Sequence, residues 1–576
     1  MERNNDTTND EVRLIVENQT IICSRKQLIL SSDYFQAMFN ANMLESEANE
    51  IRLKDVSYES LYPLIRHLHG EQLIFSTDSM CEILSTACMF QFSDAVKTCV
   101  RYVSRNITPI NCLKIKELSQ SLHLVELFNI ATKYSLHFFS DVRNSNAFRE
   151  FTQEQLVNYL SQETLNIESE NEVLSAVLHW VESTENVSEN FSAEDILDVA
   201  KKCVQLKEVD ITVVDNPIED MGEEWKMRFR EFTKMLNDAS VKINNLPKER
   251  YKPQYIVAVA EAETDEEREE PNAIYRFMGK SLLLYDSNKL ADQASKRYGS
   301  QSSLDNPDSI GFTFDKRIDL PFGEESRNCN GFSLCVLGDR DLYVSGGEVD
   351  FGRNKWQRSL WRYDLFNPAK WEEVAYIPSQ RRHHGSCCIS SDIYLVGGFG
   401  QYRQILHSVT KYNTETDEWN DCASLLHGDF SLSCIGHHGK IYACKDKIQC
   451  YSVGTDQWSY IELSDDVRKL GVFSWIPLAF EKLILFVGKW YKNTGHIVEY
   501  NIESGESESY MNGLLPIEPE SVCRAQDSLI GLGQPSTQSY EKAFAQFNLK
   551  TGKQSQPIKY DKRLKLSGLL AVTMYL

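Results

Sequence analysis

A degenerate repeat of about 50 residues fills the second half of this chain and constrains its fold more than any other feature. An apolar run ends in two glycines at Leu342–Gly347 and again at Ile393–Gly398, which places Tyr343 and Tyr394 51 residues apart. Copies also share a tyrosine, a polar turn and a tryptophan, at Tyr363–Trp371, Tyr412–Trp419 and Tyr451–Trp458. Short strands repeated at this period predict a β-propeller, a ring of blades with a loop-lined face that usually binds a partner.

The repeat can be followed beyond the copies that keep their glycines. Weaker first strands occur at Leu483–Gly488 and Leu529–Gly533, and an earlier copy is indicated by Tyr255–Val259 and Leu282–Tyr285. The apolar C-terminal run Leu569–Tyr575 is expected to complete the first blade, because this removes an exposed strand edge. We therefore predict six blades.

Length and composition indicate a multidomain intracellular protein. The chain has 576 residues, too many for one core, with 25% charged and 42% apolar residues. A net charge of −22 argues against general nucleic-acid binding, and no apolar stretch approaches a membrane span. The 15 cysteines show no regular pairing, which favours a reducing compartment, and the N-terminus shows no secretion signal. We expect a cytoplasmic or nuclear protein.

The N-terminal half begins with two predicted strands, Val12–Val16 and Thr20–Cys23, and continues with helical patterns. The segment Arg25–Phe39, RKQLILSSDYFQAMF, closely resembles the HRxVLxxxSxYFxxMF signature of the BTB (POZ) domain. The resemblance predicts an α/β BTB domain over residues 10–106.

Two further segments resemble the all-α BACK domain, Asn111–Ile115 at its opening and Glu172–Val181 at its tryptophan-containing helix. We expect this domain over residues 107–245, followed by an all-β propeller over residues 253–576. The repeat itself resembles the kelch repeat. The order BTB, BACK and six-bladed kelch propeller is that of the kelch-like family, so the resemblance covers nearly the whole chain.

The resemblance implies a substrate adaptor of a cullin-3 ubiquitin ligase. In that family BTB and the start of BACK bind the cullin, while the propeller presents a protein substrate. The family's cullin-binding apolar-x-Glu element corresponds here to Met43 and Glu45, the methionine as an apolar anchor and the carboxylate fixing orientation. The alternative is a helix end whose methionine packs on the core and whose glutamate is solvated.

Some positions depart from the family pattern. Ser24 replaces a histidine, Glu11 replaces an aspartate, and Leu68 stands where a tyrosine often lies near the cullin. Only about ten residues precede the first strand. The helix that usually swaps between partners of the BTB homodimer is therefore not expected, and a monomer or a dimer without that swap are both open.

For the substrate, the resemblance points to loops at the mouth of the propeller. Arg381 matches an arginine that several members carry just before the first strand of a repeat, in an R-x-x-x-G context ending at Gly385. Its guanidinium could hold an acidic segment or a phosphate by bidentate hydrogen bonds. The alternative is a solvated or locally paired arginine.

The sequence offers little support for catalysis. His383–Cys388 contains imidazoles and thiols, but adjacent side chains on a strand point to opposite faces and cannot easily converge on a metal. No phosphate-binding loop, nucleophile elbow or zinc-protease motif occurs. We therefore expect a non-catalytic adaptor without a cofactor. The rival hypothesis is a scaffold, such as a cytoskeleton-associated kelch protein, that recruits no ligase.

Overall fold

A computed structural model of the chain resolves into two compact units, residues 1–252 and 253–576. The structure describes residues 10–40, 48–76, 79–167, 169–183, 192–203, 234, 250, 254–262, 280–287, 289, 314–322, 329–350, 352–368, 370–490, 494–535, 541–560 and 564–573. Among these residues, no helix is both long enough and apolar enough to cross a membrane.

The first unit opens with a three-stranded sheet in the order β2-β1-β3. Its strands are β1 (Glu11–Val16), β2 (Gln19–Ser24) and β3 (Glu50–Arg52). β1 pairs antiparallel with β2 and parallel with β3. Val12, Leu14 and Val16 are fully buried, so the alternation of apolar and polar residues in β1 places one face of the sheet on the core.

Twelve helices are assigned in the described part of the first unit. Those up to residue 105 are α1 (Arg25–Ser31), α2 (Asp33–Asn40), α3 (Tyr58–Leu68), α4 (Met80–Met89) and α5 (Ser93–Arg105). Those that follow are α6 (Cys112–Ser121), α7 (Val125–His137), α8 (Phe139–Val142), α9 (Asn146–Arg149), α10 (Gln153–Leu160), α11 (Glu170–Ser183) and α12 (Ala193–Cys203). A single hydrophobic core runs from Val12 to Cys203 and joins the sheet to all of these helices.

Arg250 closes the helical part of this unit. Its guanidinium forms a two-pronged ion pair with Glu170 at the start of α11, with Nε–Oε1 2.6 Å and Nη2–Oε2 3.2 Å. It also donates to the carbonyl oxygens of Leu160 and Gln162 after α10, and of Cys203 at the end of α12. A cation here satisfies carbonyls that helix ends leave without partners.

The described part of the second unit contains seven antiparallel sheets, which are six blades and one small accessory sheet. Its first two blades and a small accessory sheet (β11-β10-β7) comprise β4 (Gln254–Ala262), β5 (Lys280–Asp286), β6 (Lys316–Asp319), β7 (Cys329–Asn330), β8 (Ser333–Leu337), β9 (Asp341–Ser345), β10 (Glu348–Val349), β11 (Lys355–Trp356), β12 (Ser359–Asp364) and β13 (Glu372–Tyr376). Blades 3 and 4 comprise β14 (Gly385–Ile389), β15 (Asp392–Val396), β16 (Val409–Asn413), β17 (Glu418–Cys422), β18 (Ser433–His437), β19 (Lys440–Cys444), β20 (Ile448–Ser452) and β21 (Gln457–Tyr460). The last two comprise β22 (Ser474–Phe480), β23 (Leu483–Trp490), β24 (Thr494–Asn501), β25 (Ser507–Leu515), β26 (Ile517–Ala525), β27 (Ser528–Pro535) and β28 (Ala543–Asn548), with a short helix, α13 (Asp465–Arg468), between blades 4 and 5.

The C-terminal strand β29 (Leu564–Thr573) closes the ring, as the sequence predicts. It pairs antiparallel with β4, so the first blade has the order β29-β4-β5-β6 and combines both ends of the unit. The first strand of each blade contacts the first strand of the next blade. These contacts run in the order β8, β14, β18, β22, β26 and β29, and β29 contacts β8 again, which closes the circle. The predicted six-bladed propeller is confirmed.

The repeated aromatic residues pack in the same way in successive blades. The Tyr–Trp ring centroids lie 5.1 Å apart in all three copies, Tyr363–Trp371, Tyr412–Trp419 and Tyr451–Trp458. Gly346 and Gly397 adopt φ values of +63° and +59° after the second strand of their blades. A Cβ there would meet a backbone carbonyl at 2.7 or 2.8 Å, so these positions need glycine.

Candidate partner-binding surfaces

Arg25 fixes the two described ends that flank the predicted cullin-binding segment. Its Nη2 donates to the carbonyl oxygen of Ala48 at 2.6 Å, and its guanidinium lies 4.6 Å from the ring centroid of Phe39. Met43 and Glu45 lie outside the described residues, so their roles stay predictions. The described residues on either side of them, Phe39 and Ala48, both contact one arginine of α1.

The departure at Ser24 has a local structural role. Its hydroxyl caps α1 by accepting from the backbone N–H of Gln27 at 3.2 Å, and it donates to Asp10 Oδ2 at 2.7 Å. Hydrogen bonds from Ser24 and from the Lys26 backbone lower the pKa of the Asp10 carboxyl. A short hydroxyl side chain therefore serves this turn well as a helix N-cap.

The departures at Leu68 and Glu11 lie on different parts of the domain. Leu68 ends α3 and packs partly on the core, whereas Glu11 is exposed on β1. On the outer side of α3, the rings of Tyr58 and Tyr62 stack with centroids 5.1 Å apart, and Arg66 lies over Tyr62. This exposed aromatic row is a surface that the sequence reading did not single out.

Arg381 lies inside the propeller and away from its surface. Its side chain is completely buried, and its Nη1 donates to the carbonyl oxygen of Leu395 at 3.0 Å. Its Nη2 and Nε donate to Ser379 Oγ at 2.8 and 3.2 Å, with a longer contact from Nη2 to Ser408 Oγ. Burial lowers the pKa of this guanidinium to about 10.

These partners differ from what the sequence leads one to expect of a substrate-binding arginine. The guanidinium joins the loop before β14 to the end of β15. In this conformation Arg381 supports the third blade. Substrate contact by Arg381 stays a prediction, and it would require the side chain to leave these partners.

The neighbouring loops instead bring together a cluster of ions and aromatic rings, here called the mouth cluster: Glu348, Arg382, Phe399, Phe430 and Lys445. Phe399 and Phe430 stack with centroids 4.2 Å apart. Arg382 lies 5.2 Å from the Phe399 centroid, and Lys445 Nζ lies 3.7 Å from the Phe430 centroid. The cations are held by Glu348, at 3.1 Å from Arg382, and by Asp429, at 2.8 Å from Lys445.

One loop beside the mouth cluster is both strained and exposed. Tyr402, within Gln401–Arg403, has φ +55° and ψ 28° and leaves 92% of its surface exposed. A bulky residue in the left-handed region costs about 1–3 kcal/mol, and no burial offsets that cost here. The same loop begins at Phe399, which pairs with Ile405 through an isolated bridge.

The sequence reading missed the mouth cluster because its members are far apart in the chain. Phe399 and Phe430 belong to different blades, and neither follows the repeat's own period. The available signal was positional, since Phe399 directly follows Gly397–Gly398 at the end of a second strand. Loops at that end of successive blades lie on one face of the propeller, so aromatic residues in these loops can contact one another although they are far apart in the sequence.

The thiols are largely enclosed by the fold. All 15 cysteines are free, and burial raises the pKa of most of them, for example to about 12 at Cys434 and Cys523. His384 is buried, and its Nε2 shares a hydrogen bond with Ser345 Oγ at 2.8 Å. Within the described ranges, no group of three or more His, Cys, Asp or Glu residues is arranged to hold a metal ion.

Comparison with known proteins assigns three domain families along the chain. The BTB/POZ domain matches residues 2–107, the domain described as BTB And C-terminal Kelch matches residues 112–209, and the Kelch motif matches residues 380–426. The order of an α/β domain, a helical domain and a β-propeller is that of BTB–BACK–kelch proteins.

Curated relatives agree with this order. Kelch-like protein 25 of Xenopus tropicalis is 22% identical over 78% of this chain and 72% of its own length. Human Kelch repeat and BTB domain-containing protein 2 is 23% identical over 83% of this chain and 71% of its own. Human Kelch-like protein 2 is 31% identical over 32% of this chain and 31% of its own. The chain belongs to the BTB–BACK–kelch family.

Proposed function

We propose that this protein is a substrate-recognition adaptor of a cullin-3 ubiquitin ligase. Its BTB and BACK domains bind the cullin, and its propeller holds a protein substrate. Such an adaptor does no chemistry itself, because holding a target near the ubiquitin-loading machinery raises its effective concentration there. The proposal implies a cytoplasmic or nuclear protein. The observation that carries it is the domain order, BTB, BACK and kelch, on one chain.

The BTB–BACK unit offers a continuous support for a large partner. One hydrophobic core joins the β-sheet and helices α1 to α12, so the BTB face and the helical pair α6–α7 belong to one packed body. Val125 at the start of α7 and Ile110 just before α6 leave 69% and 76% of their surfaces exposed. If Met43 and Glu45 bind the cullin as predicted, these exposed apolar side chains would add further anchoring contacts.

On the propeller, we propose Phe399, Phe430, Lys445 and Tyr402 as the substrate contacts, with the buried Glu348 and Arg382 supporting them. Aromatic side chains contribute strongly to the energy of protein interfaces, and three of these four residues are aromatic. The ion pairs hold Phe399 and Phe430 in place before any partner arrives, which lowers the ordering cost of binding.

The first test is binding of the full chain to the N-terminal domain of cullin-3 by calorimetry. We expect Met43→Ala/Glu45→Ala to weaken binding by about 10-fold or more, as loss of a central anchor does. Tyr376→Ala, an exposed propeller side chain, serves as the control and should leave the affinity unchanged.

Failure of the folded wild-type chain to bind the cullin would overturn the adaptor proposal. The scaffold hypothesis would then lead, and co-sedimentation with actin filaments would test it. The same samples, measured by light scattering, would decide between a monomer and a BTB homodimer.

A further inference from the structure

The BACK domain contains a half-open cavity that the cullin and substrate contacts proposed above do not use. It lies between α6, α7 and α10, and its volume is about 670 Å³. Apolar and aromatic side chains line much of it, among them Leu113, Phe128, Leu136, Phe151 and Tyr159. Polar and charged side chains complete the wall, and a concave site of this volume has the dimensions of a small-molecule site.

A lysine enters this cavity without a counter-ion. Lys116 Nζ lies 5.9 Å from the ring centroid of Phe128 and 5.7 Å from that of Tyr159. Within the described part of the chain, its ammonium group has no ion pair and no hydrogen bond. Burial lowers the pKa of Lys116, an effect that the nearby Cys112 thiol opposes. Two aromatic faces stabilise a cation only partly, so this site favours an incoming anion.

A second polar group of the cavity wall also lacks a partner. Thr132 lines the cavity, and its Oγ1 is buried with no hydrogen-bond partner among the described residues. Because this oxygen exposes almost no surface, a ligand in the cavity would contact Lys116 and not Thr132 Oγ1. Lys116 and Thr132 belong to facing helices, α6 and α7.

The acidic residues near the cavity lie at its rim. Glu117 and Glu150 are both exposed, so water screens their charges from a ligand buried at Lys116. Lys114, also exposed at the rim, has the same charge as Lys116 and lies two residues away. It therefore offers a matched control for any effect of positive charge alone.

We propose that this cavity binds a small amphipathic anion, with an aromatic or aliphatic body among Phe128, Phe151 and Tyr159 and a carboxylate at Lys116. The site does not depend on the adaptor function and would stand if cullin binding were absent.

The test uses three compounds that share one indole body: 3-indolepropionate, its neutral amide and homotryptamine. Their binding to the full chain is measured by ligand-observed NMR at pH 7. We expect the carboxylate to bind, the amide to bind about 10-fold more weakly, and the amine not to bind, because a charge-assisted hydrogen bond carries the difference. Lys116→Met should lower the affinity for 3-indolepropionate by about 10-fold. Lys116→Arg and Lys114→Met should retain most of that affinity.

Equal binding of the three compounds, no binding of the carboxylate, or unchanged affinity in Lys116→Met would each overturn the proposal. The comparison of compounds on the wild-type chain does not require any variant to fold. Circular dichroism of Lys116→Met shows whether the variant is folded, and therefore whether a lower affinity is due to the lost ammonium group or to a loss of structure. If this variant is unfolded, Lys116→Gln replaces it, with a similar loss expected.

Discussion

The two units of this protein build their interiors in opposite ways. The BTB–BACK unit has one hydrophobic core that runs from Val12 to Cys203. The propeller divides its interior into separate clusters, each of which joins neighbouring blades, such as those around Tyr394 and around Tyr442. Damage in a shared core spreads through the whole unit, whereas damage between two blades stays near those blades.

Buried charges follow the same division. In the helical unit, Arg250 and Glu170 join the ends of three helices at one point. In the propeller, buried arginines serve single blades or pairs of loops, as Arg381 does in blade 3 and Arg382 does at the mouth. Replacing a buried arginine should therefore destabilise a larger part of the first unit than of the propeller.

The largest effect is expected from Arg250→Met. This change removes Arg250 from its buried ion pair with Glu170, and breaking a buried pair in this way costs about 3–5 kcal/mol. We expect hydrogen exchange to accelerate across α10, α11 and α12 together, and denaturant unfolding to show a less stable first unit.

Lys202→Met, an exposed cation of α12, is the control and should change stability by less than about 0.5 kcal/mol. Faster exchange limited to the residues that touch Arg250 would contradict the idea of a shared core. The double variant Arg250→Met/Glu170→Leu should cost less than the single one, because no charge is then left buried.

A smaller and more local effect is expected from Arg381→Met. The change removes charge-assisted hydrogen bonds to Leu395 O and Ser379 Oγ, which are worth about 1.5–3 kcal/mol. Hydrogen exchange should rise in blade 3 and its loops while the BTB–BACK unit stays unchanged. Arg353→Met, at an exposed mouth position, should not destabilise the fold. An Arg381→Met propeller as stable as wild type would show that this arginine is available for binding.

Acid should destabilise the propeller through His384. Burial lowers the pKa of this imidazole well below its usual value, and the charges of Arg381 and His383 act in the same direction. The folded state therefore binds fewer protons than the unfolded state once the pH falls below about 6.5. The stability present at pH 7.5 should fall on acidification to pH 5 by at most about 2 kcal/mol, at 1.36 kcal/mol per pH unit below 6.5.

His384→Gln should reduce this acid sensitivity by a similar amount, even if it lowers stability at neutral pH. Thermal unfolding at pH 7.5 and pH 5.0 measures the difference, with His69→Gln, an exposed position of the first unit, as the control. An unchanged pH dependence in His384→Gln would assign the acid response to other groups.

Sequence alone predicted the features that depend on repetition. Tyr343 and Tyr394 fixed the period, and the closing strand followed from the need to cover an edge, so the six blades could be counted. The position of Arg381 could not be predicted in this way. Both arginines before β14 are buried, and their roles differ because Arg381 reaches the Leu395 carbonyl oxygen whereas Arg382 pairs with Glu348.

The mouth cluster and the BACK cavity could not be predicted from the sequence for a related reason. Phe399 meets Phe430, and Lys116 meets Tyr159, only through the packing of separate blades and separate helices. In the sequence, Lys116 is one polar residue on an amphipathic helix, and nothing in its local pattern distinguishes it from Lys114. Lys116 differs because α10 covers it, and that contact depends on the whole domain.

The smallest effect provides the strictest test of local independence in the propeller. Tyr412 and Tyr451 each donate a hydrogen bond of 2.7 Å to an aspartate in the following turn, Asp417 and Asp456 respectively. Tyr412→Phe and Tyr451→Phe should each cost about 0.5–1.5 kcal/mol, since one hydrogen bond to a charged group at a half-exposed turn is lost. If blades act independently, the double variant should equal the sum of the two within about 0.5 kcal/mol, as measured by denaturant unfolding. A larger deviation would show that the cluster between blades 3 and 4, which contains Tyr451 but not Tyr412, transmits strain around the ring.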